Sequence, residues 1–331
     1  MRYLPVIFLV LSLSTHAQFG QYQALELPSG ARSAALGGTM VSLADGELMQ
    51  FMNNPAALDS VLLTDITFNY NPYFADINVF SGAYYGNYGK LGPLAIGLTY
   101  LSYGDFVETD DSGNEIGSFS AHDYVIAIGK SHQAGPFTLG VNMKFTQSAI
   151  ESYSSTAMVF DLGGIYRVPE SGVTFGLAFK NFGFKLNDYY QSINSNIPFD
   201  VQMGVSIKPE YMPFKFTITT YNLVEENLVF KPENQAQTSR TSAYFDKVLR
   251  RVNIGTELIL NDAIQVQLGY NHLRRQELKL EDTAGGAGLS YGLSIGIKKI
   301  KFRYARAKYH VAGGANFISL QTNLNNYKKI L

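Results

Sequence analysis

The chain contains no cysteine and no tryptophan in 331 residues. Without cysteine there is no disulfide framework and no thiolate metal or redox site. Without tryptophan, any aromatic girdle has to be assembled from the 22 Tyr and 22 Phe. Charge is sparse as well, at 16% of residues with a net value of -1. That leaves no basic face of the kind nucleic acid demands. Beyond the N-terminus no segment approaches the ~20 consecutive apolar residues of a membrane-spanning helix.

The one compact apolar run lies at the start. Arg2 supplies a positive end, residues 4–13 an apolar core, and Thr15-His16-Ala17 a small-residue cleavage site, the pattern of a secretory signal. Cleavage near Ala17 would leave Gln18 first, and the absence of cysteine there excludes a lipidated N-terminus.

Glycine is abundant at 31 residues, and its placement is regular. In GAGLSYGLSIGIK (286–298), Ala287, Leu289, Tyr291, Leu293, Ile295 and Ile297 alternate with Gly288, Ser290, Gly292, Ser294 and Gly296. Successive side chains of a strand face opposite ways, so this strand is apolar on one side and small or polar on the other. The same period recurs in segments centred near 69, 82, 98, 125, 142, 161, 178, 203, 218, 256, 268, 292, 304 and 319, most of them 9–12 residues long. That length suits a tilted transmembrane strand, and an even number suits a closed bacterial barrel. The sequence therefore predicts an all-β fold, a 14-stranded antiparallel transmembrane β-barrel in the outer membrane. The greasy face meets lipid, where only a closed sheet satisfies its backbone. Lys144, Lys208 and Lys215 fall in the inward register.

The connections agree. After even-numbered segments they are short (87–92, 131–135, 169–172, 209–212, 261–262, 298–299), whereas several after odd ones are long, at 104–120, 186–197, 225–250 and 273–286. Short periplasmic turns and long external loops are the barrel pattern.

Residues 18–63 lack the alternation. PSGARSAALGG (28–38) is small and glycine-rich, and DGELMQFMNNPAAL (45–58) reads as a helix capped at Asp45 and stopped near Pro55. The expected organisation is a signal peptide over 1–17, an N-terminal hatch or plug over 18–63 and the barrel over 64–331. Fourteen strands enclose more space than wall side chains fill, and the hatch is the candidate occupant.

Stretches RSAALGGTMVSLAD (32–45), FMNNPAAL (51–58), KFTQSAIESYSS (144–155), GYNHLRRQELKL (269–280) and RAKYHVAGGANFISL (306–320) resemble the fatty-acid-transporter-like, or FadL-like, outer-membrane barrels. Within that group they are similar to the PorV and PorQ families of the type IX secretion system of Bacteroidetes, and the C-terminal pair favours the PorQ family. The resemblance implies a fourteen-stranded barrel with a hatch, no catalytic residues and no cofactor. It also implies a protein-secretion role in the cell-surface attachment complex with PorU, PorV and PorZ. There it would tether PorZ while cargo is anchored to lipopolysaccharide, in contact with outer-membrane lipid and not with nucleic acid.

No other chemistry-bearing constellation stands out. His122, His132, His272 and His310 fall near segment ends in four separate places, whereas a metal site needs three or four converging ligands. A lipid hydrolase would need Ser, His and an orienting partner together, and only Ser120 and Asn316 lie near such histidines. Two external loops are candidate partner surfaces. The acidic one carries Asp105, Glu108, Asp110, Asp111 and Glu115; solvation and loose calcium binding are the other readings. The long one contains Tyr244 and Phe245 in YFDKVLRR (244–251), a candidate rim helix. In HLRRQELKLED (272–282), Arg274, Arg275 and Lys279 are either solvated or placed to meet lipopolysaccharide phosphates or an acidic partner.

Two function classes remain open: a display scaffold for secretion machinery, and a barrel for uptake of hydrophobic small molecules. The mature chain is expected to require detergent for solubility and to give a circular dichroism spectrum dominated by β-structure; a soluble or α-helical product would overturn this reading.

Overall fold

The computed structural model describes residues 22–73, 76–189, 197–225, 240–261, 263–278, 286–310 and 313–327. The expected signal peptide lies outside them. The wall begins with β1 Asp65–Pro72, β2 Asn78–Asn87, β3 Pro93–Thr109, β4 Glu115–Ala134 and β5 Phe137–Ile150. It continues through β6 Tyr153–Arg167, β7 Val173–Asn187, β8 Asp200–Ile207, β9 Phe214–Thr220 and β10 Val252–Ile259. β11 Ile264–Asn271, β12 Leu289–Ile297, β13 Ile300–His310 and β14 Gly313–Asn323 complete it. Each strand pairs antiparallel with its sequence neighbours, and β14 pairs with β1, closing the barrel.

The alternation has the orientation expected from sequence. Leu289, Tyr291 and Leu293 face outward while Ser290 and Ser294 are buried inside. Outer-face aromatics pair across strands near both ends: Phe137 stacks on Tyr166 and Tyr70 on Phe80. Lys144 and Lys215 point inward, to Asp161 and Asp45. Lys208 is the exception: β8 stops at Ile207, so Lys208 sits in the turn that follows.

Wall height departs from the 9–12 residues expected of most strands. β3 to β7 run for 14 to 20 residues, β8 to β12 for only 7 to 9. In β3 and β4 the extra height comes from 104–109 and 115–120, so that only 110–114 of the expected long loop is a turn. β3 and β4 pair through the rest up to Thr109 and Glu115, past a register shift between Ser102 and Asp105. On the low side, α2 (Arg240–Leu249) and α3 (His272–Leu278) stand at the same end.

The described part of the hatch, 22–63, lies inside the barrel. It holds α1 (Ala31–Ala35) and short 3-10 turns, among them Leu48–Met52 and Pro55–Ala57. The expected helix from Asp45 is not formed. Its turn starts after Glu47, because the Asp45 carboxylate is held by Arg32 and Lys215 instead of capping a helix. A segment with so little regular structure leaves its backbone groups to be satisfied elsewhere. The inward polar residues of the wall do this. Asn253 donates to the Thr39 carbonyl (2.9 Å), Ser290 to Ala35 (2.8 Å), Asn142 to Phe51 (2.8 Å) and Ser131 to Leu58 (2.8 Å).

The inward glycines let the hatch backbone come close. A methyl group at Gly269 would lie 2.3 Å from the Leu36 carbonyl carbon, one at Gly140 2.3 Å from that of Pro55, and one at Gly176 2.2 Å from the Val41 oxygen. A Cβ never approaches backbone so closely, so each of these positions excludes every other residue type unless the hatch moves. Gly164 faces outward, and a methyl there meets only Leu139 at 3.7 Å. Gly140→Ala and Gly269→Ala are therefore expected to destabilise the chain by ~2 kcal/mol or more through overpacking. Gly164→Ala should change stability by about 0.5 kcal/mol or less. Denaturant melts in detergent micelles measure the difference.

Candidate functional site

Two features of the interior carry chemistry: a charged latch between hatch and wall, and a small cavity holding two lysines.

The latch is centred on Arg32 of α1. Its Nη1 and Nη2 donate to the Asp45 carboxylate at 2.6 and 2.8 Å, and its Nε and Nη2 to Glu257 of β10 at 2.8 and 2.6 Å. Glu47 lies 3.8 Å away and Lys215 of β9 closes the other side of Asp45. A guanidinium offers a planar fork that satisfies two carboxylates at once, so Arg32 ties the two halves of the hatch to the wall. Burial by itself pushes the Asp45 carboxyl up, but Arg32 and then Lys215 outweigh it and hold it well below the usual carboxylate range.

The cavity lies higher in the lumen. It has a volume of about 20 Å³, room for roughly one water, and its apolar lining includes Leu25, Leu27, Met49 and Met52. Lys144 and Lys180 both reach it. Lys144 is neutralised: its Nζ lies 2.6 Å from Asp161 and 3.0 Å from Asn181 Oδ1. Asp161 also accepts the Asn181 backbone N–H at 2.9 Å. That contact holds Asn181 at a φ of 57° where β6 and β7 shift register. Lys180, next in sequence, is 7% exposed. No carboxylate among the described residues comes within ion-pair distance of it. Asp200 is the cross-strand neighbour of Lys180, and Asp161 and Glu26 also act on its charge. The ammonium is thus buried near carboxylates without a direct ion pair, beside a space whose lining is part apolar and part polar. A second, larger concavity of about 370 Å³ at the short-turn end shares no lining residue with the first and is edged by Lys298, Lys299 and Lys301.

The residues singled out from sequence fall into two groups. Asp105, Glu108, Asp110, Asp111 and Glu115 come together on the β3–β4 ribbon. Asp110 shapes its turn, accepting the backbone N–H groups of Ser112 and Asn114 and the Asn114 side-chain amide. Tyr244 and Phe245 lie on α2, the expected rim helix. Arg274 and Arg275 lie on α3, in a stretch read from sequence as a loop, and Lys279 is outside the described residues. Arg274 does not present itself to solvent: its guanidinium sits 4.4 Å over the Tyr309 ring. Asp246 of α2 joins the two helices, accepting from Arg250 Nε at 2.5 Å and bonding His272 Nε2 of α3 at 2.9 Å. Strand order sets the acidic ribbon and the helix pair on opposite sides of the barrel. Among the described residues no three His, Asp or Glu side chains are grouped to hold a metal.

Arg32, Glu257, Asp161 and Lys180 were not singled out from sequence. For Glu257, Asp161 and Lys180 the usable signal was an ionisable side chain at an inward position of a strand, which marks function or a buried partner; Arg32, on α1, carried no such signal.

No protein-family model and no curated protein matches the chain. Solved structures do. It is similar to a structure described as a TodX monoaromatic hydrocarbon channel deltaS2 mutant, at 14% identity and TM-score 0.53, covering 89% of this chain and 97% of that one. It is also similar to a Pseudomonas aeruginosa FadL homologue at 10% identity and TM-score 0.47, covering 89% and 98%. The first likeness supports the architecture: the fold is that of an outer-membrane β-barrel.

Removing one partner of a buried ion pair strands the other. Glu257→Gln is therefore expected to cost about 3–5 kcal/mol in denaturant melts and to open the Arg32 peptide bond to trypsin, to which burial should make the wild-type chain resistant. Because the Asp45 value is depressed on folding, its contribution is complete above about pH 4 and declines as pH falls from there toward the depressed value. Melting in detergent followed from neutral pH down to about pH 2 reads this, and Asp45→Asn should flatten the curve.

Proposed function

We propose that this protein is an outer-membrane barrel for small hydrophobic molecules, and that its substrates carry an anionic head. The observation that carries the reading is Lys180, buried without a direct ion pair beside a cavity whose lining includes Leu25, Leu27, Met49 and Met52. A carboxylate with an alkyl or aryl tail supplies what is missing, a direct ion pair for the ammonium and apolar surface for the methionines, whose flexible thioethers repack easily. The hydrocarbon named in the description of the TodX channel agrees with an apolar cargo. With room for about one water the cavity is closed as it stands, so entry of such a molecule requires the hatch segment 24–29 to shift.

The test is direct binding of a fluorescent long-chain carboxylate to the purified barrel. Lys180→Met is expected to weaken it about tenfold or more, the loss of one charge-assisted hydrogen bond. Lys180→Arg should retain most affinity, and the corresponding alkane should bind both forms alike. Equal carboxylate affinity in wild type and Lys180→Met would overturn the reading.

A second reading is favoured by the secretion-family motifs, by the filled lumen and by the ribbon raised beyond the mouth. In it the barrel is a type IX secretion component that retains PorZ at the cell surface beside PorU, PorV and lipopolysaccharide. Deletion separates the two readings: a scaffold mutant sheds PorZ and cargo into the medium, whereas an uptake mutant fails to grow on one nutrient.

A further inference from the structure

The raised side of the barrel ends in a ribbon with no internal task. β2 stops pairing with β3 at Ser102, and β5 stops pairing with β4 at Ala121. Beyond those points, from the Asp105–Ser120 pair to the Thr109–Glu115 pair, neither long edge has a neighbouring strand among the described residues. A free two-stranded ribbon is marginal in water. This one nevertheless leaves Phe106, Val107 and Ile116 exposed at 41%, 60% and 61%. Phe106 stacks on Phe119 with centroids 5.3 Å apart. The two-residue period puts that pair on the same inward face as Ile150 and Tyr153, which are cross-strand partners of each other below it. An apolar band thus rises above the mouth. Between residues 103 and 121 there are five carboxylates and no Lys, Arg or His.

The pattern selects its occupant. Lipid does not fit, because Asp105 shares a face with Val107 and Glu108 with Phe106, and burying those carboxylates in hydrocarbon is costly. A second copy is the weaker complement, since at the same end Arg274 is turned onto Tyr309 and Arg250 is paired with Asp246, leaving Lys247 of α2 as an exposed cation. We infer that the ribbon 105–118 and the band beneath it dock a soluble protein outside the cell, one whose contact face is apolar at its centre and basic at its rim. Apolar anchors supply the affinity and the carboxylates the orientation. This holds whether or not the lumen takes an amphiphile.

A photoreactive phenylalanine analogue placed at position 106 of the full chain, irradiated on intact cells, tests it; the same group at position 177 on the lipid-facing wall is the control. The expected result is one soluble protein cross-linked from position 106 and none from 177. Its yield should fall about tenfold when Asp105→Asn, Glu108→Gln, Asp111→Asn and Glu115→Gln are combined; Asp110 is kept because it forms the turn. The purified cross-linked protein should bind the barrel in lipid nanodiscs, and more weakly as salt rises. An unchanged melting temperature shows that the neutralised barrel still folds. Adducts confined to lipid, to a second copy or to nothing, or a yield unaffected by neutralisation, would overturn the proposal.

Discussion

The structure depends on how closely the hatch backbone approaches the wall. An eight-stranded barrel is filled by its own side chains; fourteen strands leave a space that has to be occupied or left wet. Here the occupant is main chain with little helix, and it fits because wall side chains are missing where it touches. Gly140, Gly176 and Gly269 each leave room for hatch backbone within 2.3 Å of where a Cβ would stand. Between them, Asn142, Asn253 and Ser290 bond its carbonyls. Apolar packing completes the fit where Ala31, Ala34 and Ala35 meet Ala305, Ala307, Ala315 and Phe317. The small and polar inward face is therefore a mould. Its residues serve a protein plug and do not line a wet pore.

Inside that mould Arg32, Glu47, Glu257, Lys144 and Asp161 are ion-paired. Among the described residues Asp65, Asp123, Asp200 and Arg303 form no ion pair but keep hydrogen bonds, which sets Lys180 apart. Arg32 binds two carboxylates, Lys215 completes the group, and Lys144 meets Asp161. Lys180 has the same burial and lacks the same provision. Structural charges in a low-dielectric interior come with partners; one that does not, beside a cavity, points to a ligand. The sides of the barrel divide the remaining work. The low wall carries α2 and α3, joined through Asp246, and the high wall carries the acidic ribbon.

The sequence alone carried the strand number, their order along the chain and which face meets lipid. Those follow from a period of two, a local property of extended backbone, and every one of the fourteen expected centres falls inside an observed strand. The same locality explains the failures. Residues 104–120 contain Gly104, Gly113 and Gly117 among polar neighbours and read as a loop, yet cross-strand pairing carries β3 and β4 through all but 110–114 of them. Asp45 has the chemistry of a helix cap, but an arginine thirteen residues away in sequence competes for it and wins. HLRRQEL has the charge pattern of a solvated loop and forms α3.

What sequence could not contain is the pairing of hatch with wall. Whether an inward lysine is ion-paired, as Lys144 is, or left without an ion pair, as Lys180 is, depends on Asp161 reaching one ammonium and not the other across neighbouring strands. Periodicity assigns a residue to a face; only closure of the barrel around its plug decides which charges on that face meet, because the distances that matter there run across the lumen and not along the chain.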